Sequence, residues 1–152
     1  MANNQIPAEL MQGLQEKFSQ IEVLEDQTVI VPGEDLFSLL KELKENEEYA
    51  LDYLTNVTAV DYEDRFEVVY HLLSITKDFD LTVKVKIADK VHPEVPSLCA
   101  LWKGAEWQER EVYDLMGINF TGYPDHPTRI LLLDTFEGHP LRKDFQFASG
   151  RE

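Results

Sequence analysis

Within residues 106–114 the chain sets four carboxylates, Glu106, Glu109, Glu111 and Asp114, around one guanidinium, Arg110. Acid at that density suits three chemistries: proton transfer by a carboxylate pair, ligation of a cation, or ion pairing with another surface. Proton transfer needs one carboxyl held neutral beside a reacting group. The chain supplies no nucleophile paired with a base, and both GxGxxG and Walker phosphate patterns are absent. For a metal, His71, His92, His126 and His139 stand far apart and match no ligand spacing. His71 falls in an apolar run, while His126 and His139 each precede a proline and read as turn residues. Cys99 is the single cysteine, so it closes no internal disulfide and cannot alone hold an iron–sulfur cluster. Ion pairing remains.

A helix over residues 105–116, closed by Gly117, would carry this cluster. At ~100° per residue, Ala105, Val112 and Met116 share one stripe and Glu109 falls inside it. Glu106, Arg110 and Asp114 follow one another at i, i+4 steps on a neighbouring face, where a ladder of charge stabilises a helix without any further role. Glu109 is different, because a carboxylate turned into packed surface needs a partner. Arg129, Arg142 and Lys143 are the expected partners, so that Glu109 would clamp the C-terminal segment to the domain or to a neighbour.

The rest of the chain must position that helix. Residues 7–18 and 33–48 read as helices, the second with Leu36, Leu39, Leu40 and Leu43 on one stripe. "IEVLEDQTVIVP" (21–32) reads as two short strands around a turn at Asp26-Gln27. Strands follow at 54–62, at 66–75, which is apolar on both parities, and at 81–87, which alternates strictly. "VHPEVPS" (91–97) reads as a loop ending at an N-cap, Ser97, before a short helix "LCALWK". The fold class is therefore α+β, a mostly antiparallel sheet with helices packed on it and a long extended C-terminal arm. Residues 1–116 are expected to form the globular domain. Residues 117–152 form the arm, which is rich in Gly and Pro yet too apolar for disorder, and it is expected to dock a partner.

Composition agrees with one folded domain: 152 residues, 43% hydrophobic, with no run approaching a membrane span. The start has neither the cationic residues nor the apolar core of a signal peptide, which implies a soluble protein of a reducing compartment. The net charge of −15 repels phosphate backbones and argues against nucleic acid as a partner. That charge is uneven: residues 1–116 hold 10 Lys/Arg against 24 Asp/Glu, and residues 117–152 hold 4 against 5.

The stretch "WQEREVYDLMGINFTGYPD", followed by "RILL" and "GHPLRKDF", resembles the C-subunit family of NADH–quinone oxidoreductase, respiratory complex I, shared with subunits of energy-converting hydrogenases. Glu109, Arg110, Glu111, Asp114, Leu115 and Met116 carry the helical half of the family's motif. Tyr123-Pro124 stands where the family usually has His-Pro, with His126 as a substitute in a shifted turn. The resemblance implies a non-redox assembly subunit in the peripheral arm, on the cytoplasmic side of a membrane complex. It would dock the quinone-site subunit and neighbouring iron–sulfur subunits through Glu109, Arg110, Glu111, Asp114, Tyr123, His126, Arg129, His139, Arg142 and Lys143. The chain would hold no cofactor; NADH, flavin, iron–sulfur clusters and quinone would belong to the parent complex. An equivalent subunit of a hydrogenase or ferredoxin-linked complex, and a free-standing acidic binding module, are the alternatives.

Overall fold

The computed structural model describes residues 5–122, 129–133 and 135–146. Ten elements follow one another: α1 (Ala8–Lys17), β1 (Glu22–Val23), β2 (Val29–Ile30), α2 (Gly33–Glu45), β3 (Tyr53–Asp61), β4 (Phe66–Ser74), β5 (Phe79–Ile87), β6 (Glu94–Pro96), α3 (Ala105–Met116) and β7 (Asn119–Thr121). A five-stranded sheet has the order β1-β2-β5-β4-β3, antiparallel throughout except for the parallel pair β2–β5. The α+β reading of the sequence is thus the observed architecture.

The local chemistry explains the elements. Leu36, Leu39, Leu40 and Leu43 have no exposed surface, so the stripe of α2 is the seam between that helix and the sheet. Glu34 and Asp35 open α2 where its dipole favours negative charge. In β5, Leu81, Val83, Val85 and Ile87 are buried while Lys86 is exposed, the half-buried pattern of a strand with one core face. β4 is flanked on both sides by strands and is buried on both parities along most of its length. Gln27 takes a positive φ of 69° at the β1–β2 turn, and its amide both accepts from Ile6 N–H and donates to Ile6 C=O.

Two expectations differ from the structure. Residues 91–97 are not all loop: β6 pairs in parallel with β7 in a second, two-stranded sheet. Glu94-Val95-Pro96 is too short a stretch to announce a strand whose partner lies beyond the next helix. "LCALWK" forms a single turn, with Leu101 and Trp102 N–H both bonded to Leu98 C=O. Ser97 does cap that turn, its Oγ accepting from Cys99 N–H. Past Gly117, Ile118 and Phe120 are buried in the core, so the packed domain continues through β7.

Candidate functional site

Helix α3 runs along β3, with Gln108 Oε1 accepting from the Val57 backbone N–H at 2.6 Å. Its inner stripe is the expected one: Ala105, Glu109, Val112 and Met116 are buried. Gly117 ends it in the left-handed conformation, φ 76°, and its N–H bonds to Tyr113 C=O.

Glu109 has no exposed surface, and its partners are not the arm cations expected from the sequence. Ser97 Oγ donates to Oε1 at 2.7 Å, Leu98 N–H to Oε2 at 2.7 Å, and Cys99 Sγ to Oε1 at 3.3 Å. Glu109 therefore ties the 97–102 turn to the helix. The same turn is held from α2 by Lys44, which donates to Leu101 C=O, and Trp102 Nε1 donates to Asp52 C=O. Burial pushes the Glu109 carboxyl above its ordinary value, and the three donors only partly offset it. Burial also pushes the Cys99 thiol up to about 11, which leaves it a poor nucleophile.

The group that holds the arm is Asp114. Arg129 Nη1 lies 2.7 Å from Asp114 Oδ1, and the N–H groups of Ile130, Leu131 and Leu132 converge on Oδ2 at 3.2, 2.8 and 3.0 Å. The carboxylate is fully buried, and Arg129 is only 11% exposed in its side chain. Burial alone would raise this carboxyl, but the donors from Leu131, Arg129, Leu132 and Ile130 outweigh it and lower the pKa. Asp114 is therefore not the third rung of a solvated ladder. The ladder shrinks to Glu106–Arg110 at 3.9 Å, while Arg110 also donates to Arg129 C=O and lies over the Trp107 ring.

The C-terminal carbonyls of α3, which a helix leaves without partners, are taken up by the arm. Asp114 C=O accepts from Arg129 Nη1 at 3.1 Å and from His139 Nδ1 at 2.9 Å, and Leu115 C=O accepts from Leu141 N–H at 2.9 Å. A carbonyl can only accept, so His139 carries its proton on Nδ1. The Arg129 charge also sits at the negative end of the helix dipole. Gly117 makes the close approach of His139 possible, because a Cβ there would lie 2.7 Å from the imidazole. Further along, Arg142 donates to Lys90 C=O and pairs with Asp144, while Lys143 N–H donates to Asp61 Oδ2 at 2.7 Å. Asp61 in turn pairs with Lys90.

Of the residues singled out in the sequence, Asp114, Arg129 and His139 meet at one point, with Arg110 beside them. Arg142 and Lys143 reach the end of β3 instead, Glu109 faces the opposite way, and Glu111 is exposed. Tyr123 and His126 lie outside the described residues. Ser97 and Asp61 are the polar residues that sequence reasoning did not assign to these contacts. The place of Ser97 at the end of a loop and before a short helix pointed to a cap but not to its carboxylate partner, and nothing local marks Asp61. No cluster of metal-ligating side chains occurs among the described residues, and none of their helices is long and apolar enough to cross a membrane.

The surface made by α3 and the arm leaves large apolar side chains in water. Leu131, Leu133 and Leu141 are 63, 78 and 60% exposed, and Trp107 on α3 is 58% exposed. These side chains lie outside the core cluster and form an apolar surface among the described residues.

Comparison with known proteins agrees with this construction. Residues 29–151 match the family described as the respiratory-chain NADH dehydrogenase 30 Kd subunit. The NADH-quinone oxidoreductase C subunit of Moorella thermoacetica is 50% identical over 141 residues, 90% of this chain and 93% of its own length. Its counterpart in Roseiflexus sp. (strain RS-1) is 45% identical over 122 residues, 78% of this chain and 69% of its own length. Among solved structures, the membrane-bound sulfane sulfur reductase, an archaeal respiratory membrane complex, contains a chain that superposes with a TM-score of 0.77 at 27% identity, covering 91% of this chain and 84% of that one. The buried acids of α3, the arm folded across its C-terminal end and these matches converge: the chain belongs to the 30 kDa subunit family of respiratory-chain NADH dehydrogenase, the family of the NADH-quinone oxidoreductase C subunit.

Proposed function

We propose that the chain is a non-redox docking subunit in the peripheral arm of a membrane-associated respiratory complex, packed against the quinone-site subunit and its iron–sulfur neighbours. The observation that carries this reading is the clamped arm. Asp114 and Arg129 fix residues 130–132 against α3, while Leu131 and Leu133 from the same stretch face water. An arm ordered by its own domain loses little conformational freedom when a partner covers it, so its exposed leucines can be spent on affinity. Electron transfer to quinone, with NADH, flavin and iron–sulfur clusters, belongs to the parent complex, which couples it to ion translocation. The chain attaches to the cytoplasmic side of the membrane through its partners.

A second reading keeps the docking role and changes the machine. The structural likeness to the sulfane sulfur reductase supports a related membrane complex with another donor or acceptor, such as a hydrogenase-type or ferredoxin-linked one. One experiment separates these. An affinity-tagged chain is recovered from gently solubilised native membranes, and its companions are identified by mass spectrometry. Iron–sulfur and quinone-site subunits together with NADH-binding ones are the expected result. Companions bearing nickel-binding or ferredoxin-linked sites would move the assignment to the second reading. A chain recovered alone would defeat both.

A further inference from the structure

Between β3 and α3 the surface opens into a groove of about 210 Å³, lined by Val57, Ala59, Val112, Leu115, Met116 and Leu141 among others, with Glu111 at its edge. The groove is smaller than the ~300–1,000 Å³ of typical small-molecule pockets, and it suits a single large apolar side chain. It is also continuous with the arm, since Leu141 is both a wall of the groove and one of the leucines that remain 60% exposed. Its one charged lining group is Glu111, which is exposed and makes no ion pair or hydrogen bond within the described chain. Neighbouring Arg110 is turned away toward Glu106, Trp107 and the Arg129 carbonyl. With a net charge of −15 around it, an acidic rim selects against an acidic visitor.

We propose that this groove takes one apolar anchor residue of the partner subunit, and that a Lys or Arg beside that anchor pairs with Glu111. This rests on the docking reading and names the chemistry of its contact. An anchor in a water-free pocket with a charged group at the rim is the arrangement that concentrates binding energy in a few residues. The two parts separate by salt. The apolar contact holds at high ionic strength, whereas a rim charge pair is screened within ~8–10 Å at ordinary salt.

The test uses the tagged chain recovered with its complex from native membranes, washed over a series of salt concentrations. Glu111→Lys changes only an exposed position, so the fold is retained. At low salt it is expected to lower partner retention about tenfold, with the gap to the parent chain narrowing as salt rises. Leu141→Ser is expected to lower retention at every salt concentration. A photoreactive benzoylphenylalanine in place of Leu141 is expected to cross-link to a partner peptide in which a Lys or Arg adjoins a Leu, Ile, Met or Phe. Parental retention by Glu111→Lys, or a cross-link to a peptide lacking that pair, to a second copy or to the chain itself, would overturn the groove assignment. The docking reading would still stand if the parent chain kept its companions. Loss of all companions from the parent chain would instead defeat that reading, and the groove assignment with it.

Discussion

Glu109 and Asp114 stand five positions apart on one helix, both without exposed surface, and their surroundings are opposite in kind. Glu109 meets a hydroxyl, a thiol and one backbone N–H, with no cation among the described residues. Asp114 meets a guanidinium and three successive backbone N–H groups. The difference lies in what the partners can reverse. A hydroxyl can turn and accept, so the Glu109 site tolerates a proton on the carboxyl; a guanidinium and amide N–H groups can only donate, so the Asp114 site demands an anion. Burial alone therefore does not say what a carboxylate does. One acid is a fastening inside the domain, and the other organises a segment of chain around its charge.

Asp114→Asn breaks this comparison hardest. The amide keeps one acceptor and turns N–H donors toward groups that only donate, leaving the largely covered Arg129 without its counter-charge. A loss of about 3–5 kcal/mol is expected for breaking such a pair. It should appear in urea unfolding if the arm melts with the domain, or as fast amide exchange confined to residues 130–132 if the arm detaches alone. Parental exchange protection there would show that Asp114 does not hold the arm.

Gly117→Ala acts on the same junction through sterics. A Cβ would lie 2.7 Å from the His139 ring on a backbone with φ 76°. The left-handed backbone accounts for about 1–3 kcal/mol of destabilisation. Gly122→Ala, with φ 77° and nothing within 4 Å, provides the backbone effect without the clash. If the two variants lose equal stability, the contact with His139 carries no weight.

Glu109→Gln is expected to be mild, below about 1 kcal/mol at neutral pH, because the amide oxygen can accept from Leu98 N–H while Ser97 reverses its hydrogen bond. Acid sharpens the contrast. The Glu109 carboxyl is raised above 4.5, so ionised Glu109 weakens the fold at neutral pH and that penalty fades as pH falls through the raised value. The parent chain should therefore gain on Glu109→Gln as pH is lowered toward 4.5. Asp114 is lowered from 3.8, so its contribution is present above that value and is lost as pH falls through the folded one. The gap between the parent and Asp114→Asn should thus close only below about 3.8. A gap that closes at higher pH would mean that the Asp114 anion is not held as described.

Much of this is legible in residue types alone. The stripe of α2, the alternation of β5, the turn at Gln27 and the Gly117 stop each state their geometry within a few positions of chain. The inward position of Glu109 follows from helical spacing. The identity of its partner does not. A carboxylate needs a donor, and in sequence the arm cations look like better donors than a serine hydroxyl and one amide. The choice is made by β6 and β7, which pair residues 94–96 with 119–121 and so bring the 97–99 turn to the helix. Likewise Asp61 lies 82 positions from Lys143, a distance over which no periodicity informs.

The parallel pairing of Val29 with Val83 bears on how the chain is made. β2 and α2 both precede β5, the strand they lean on, which ends only at Ile87. A ribosome adding ~5–20 residues per second therefore releases the leucine stripe of α2 several seconds before its sheet exists. The β3–β5 meander is built from neighbours in sequence and is expected to pair first, whereas the N-terminal hairpin closes a long loop onto β5 and is expected to join late. Until it does, β5 presents a raw edge to any other nascent chain.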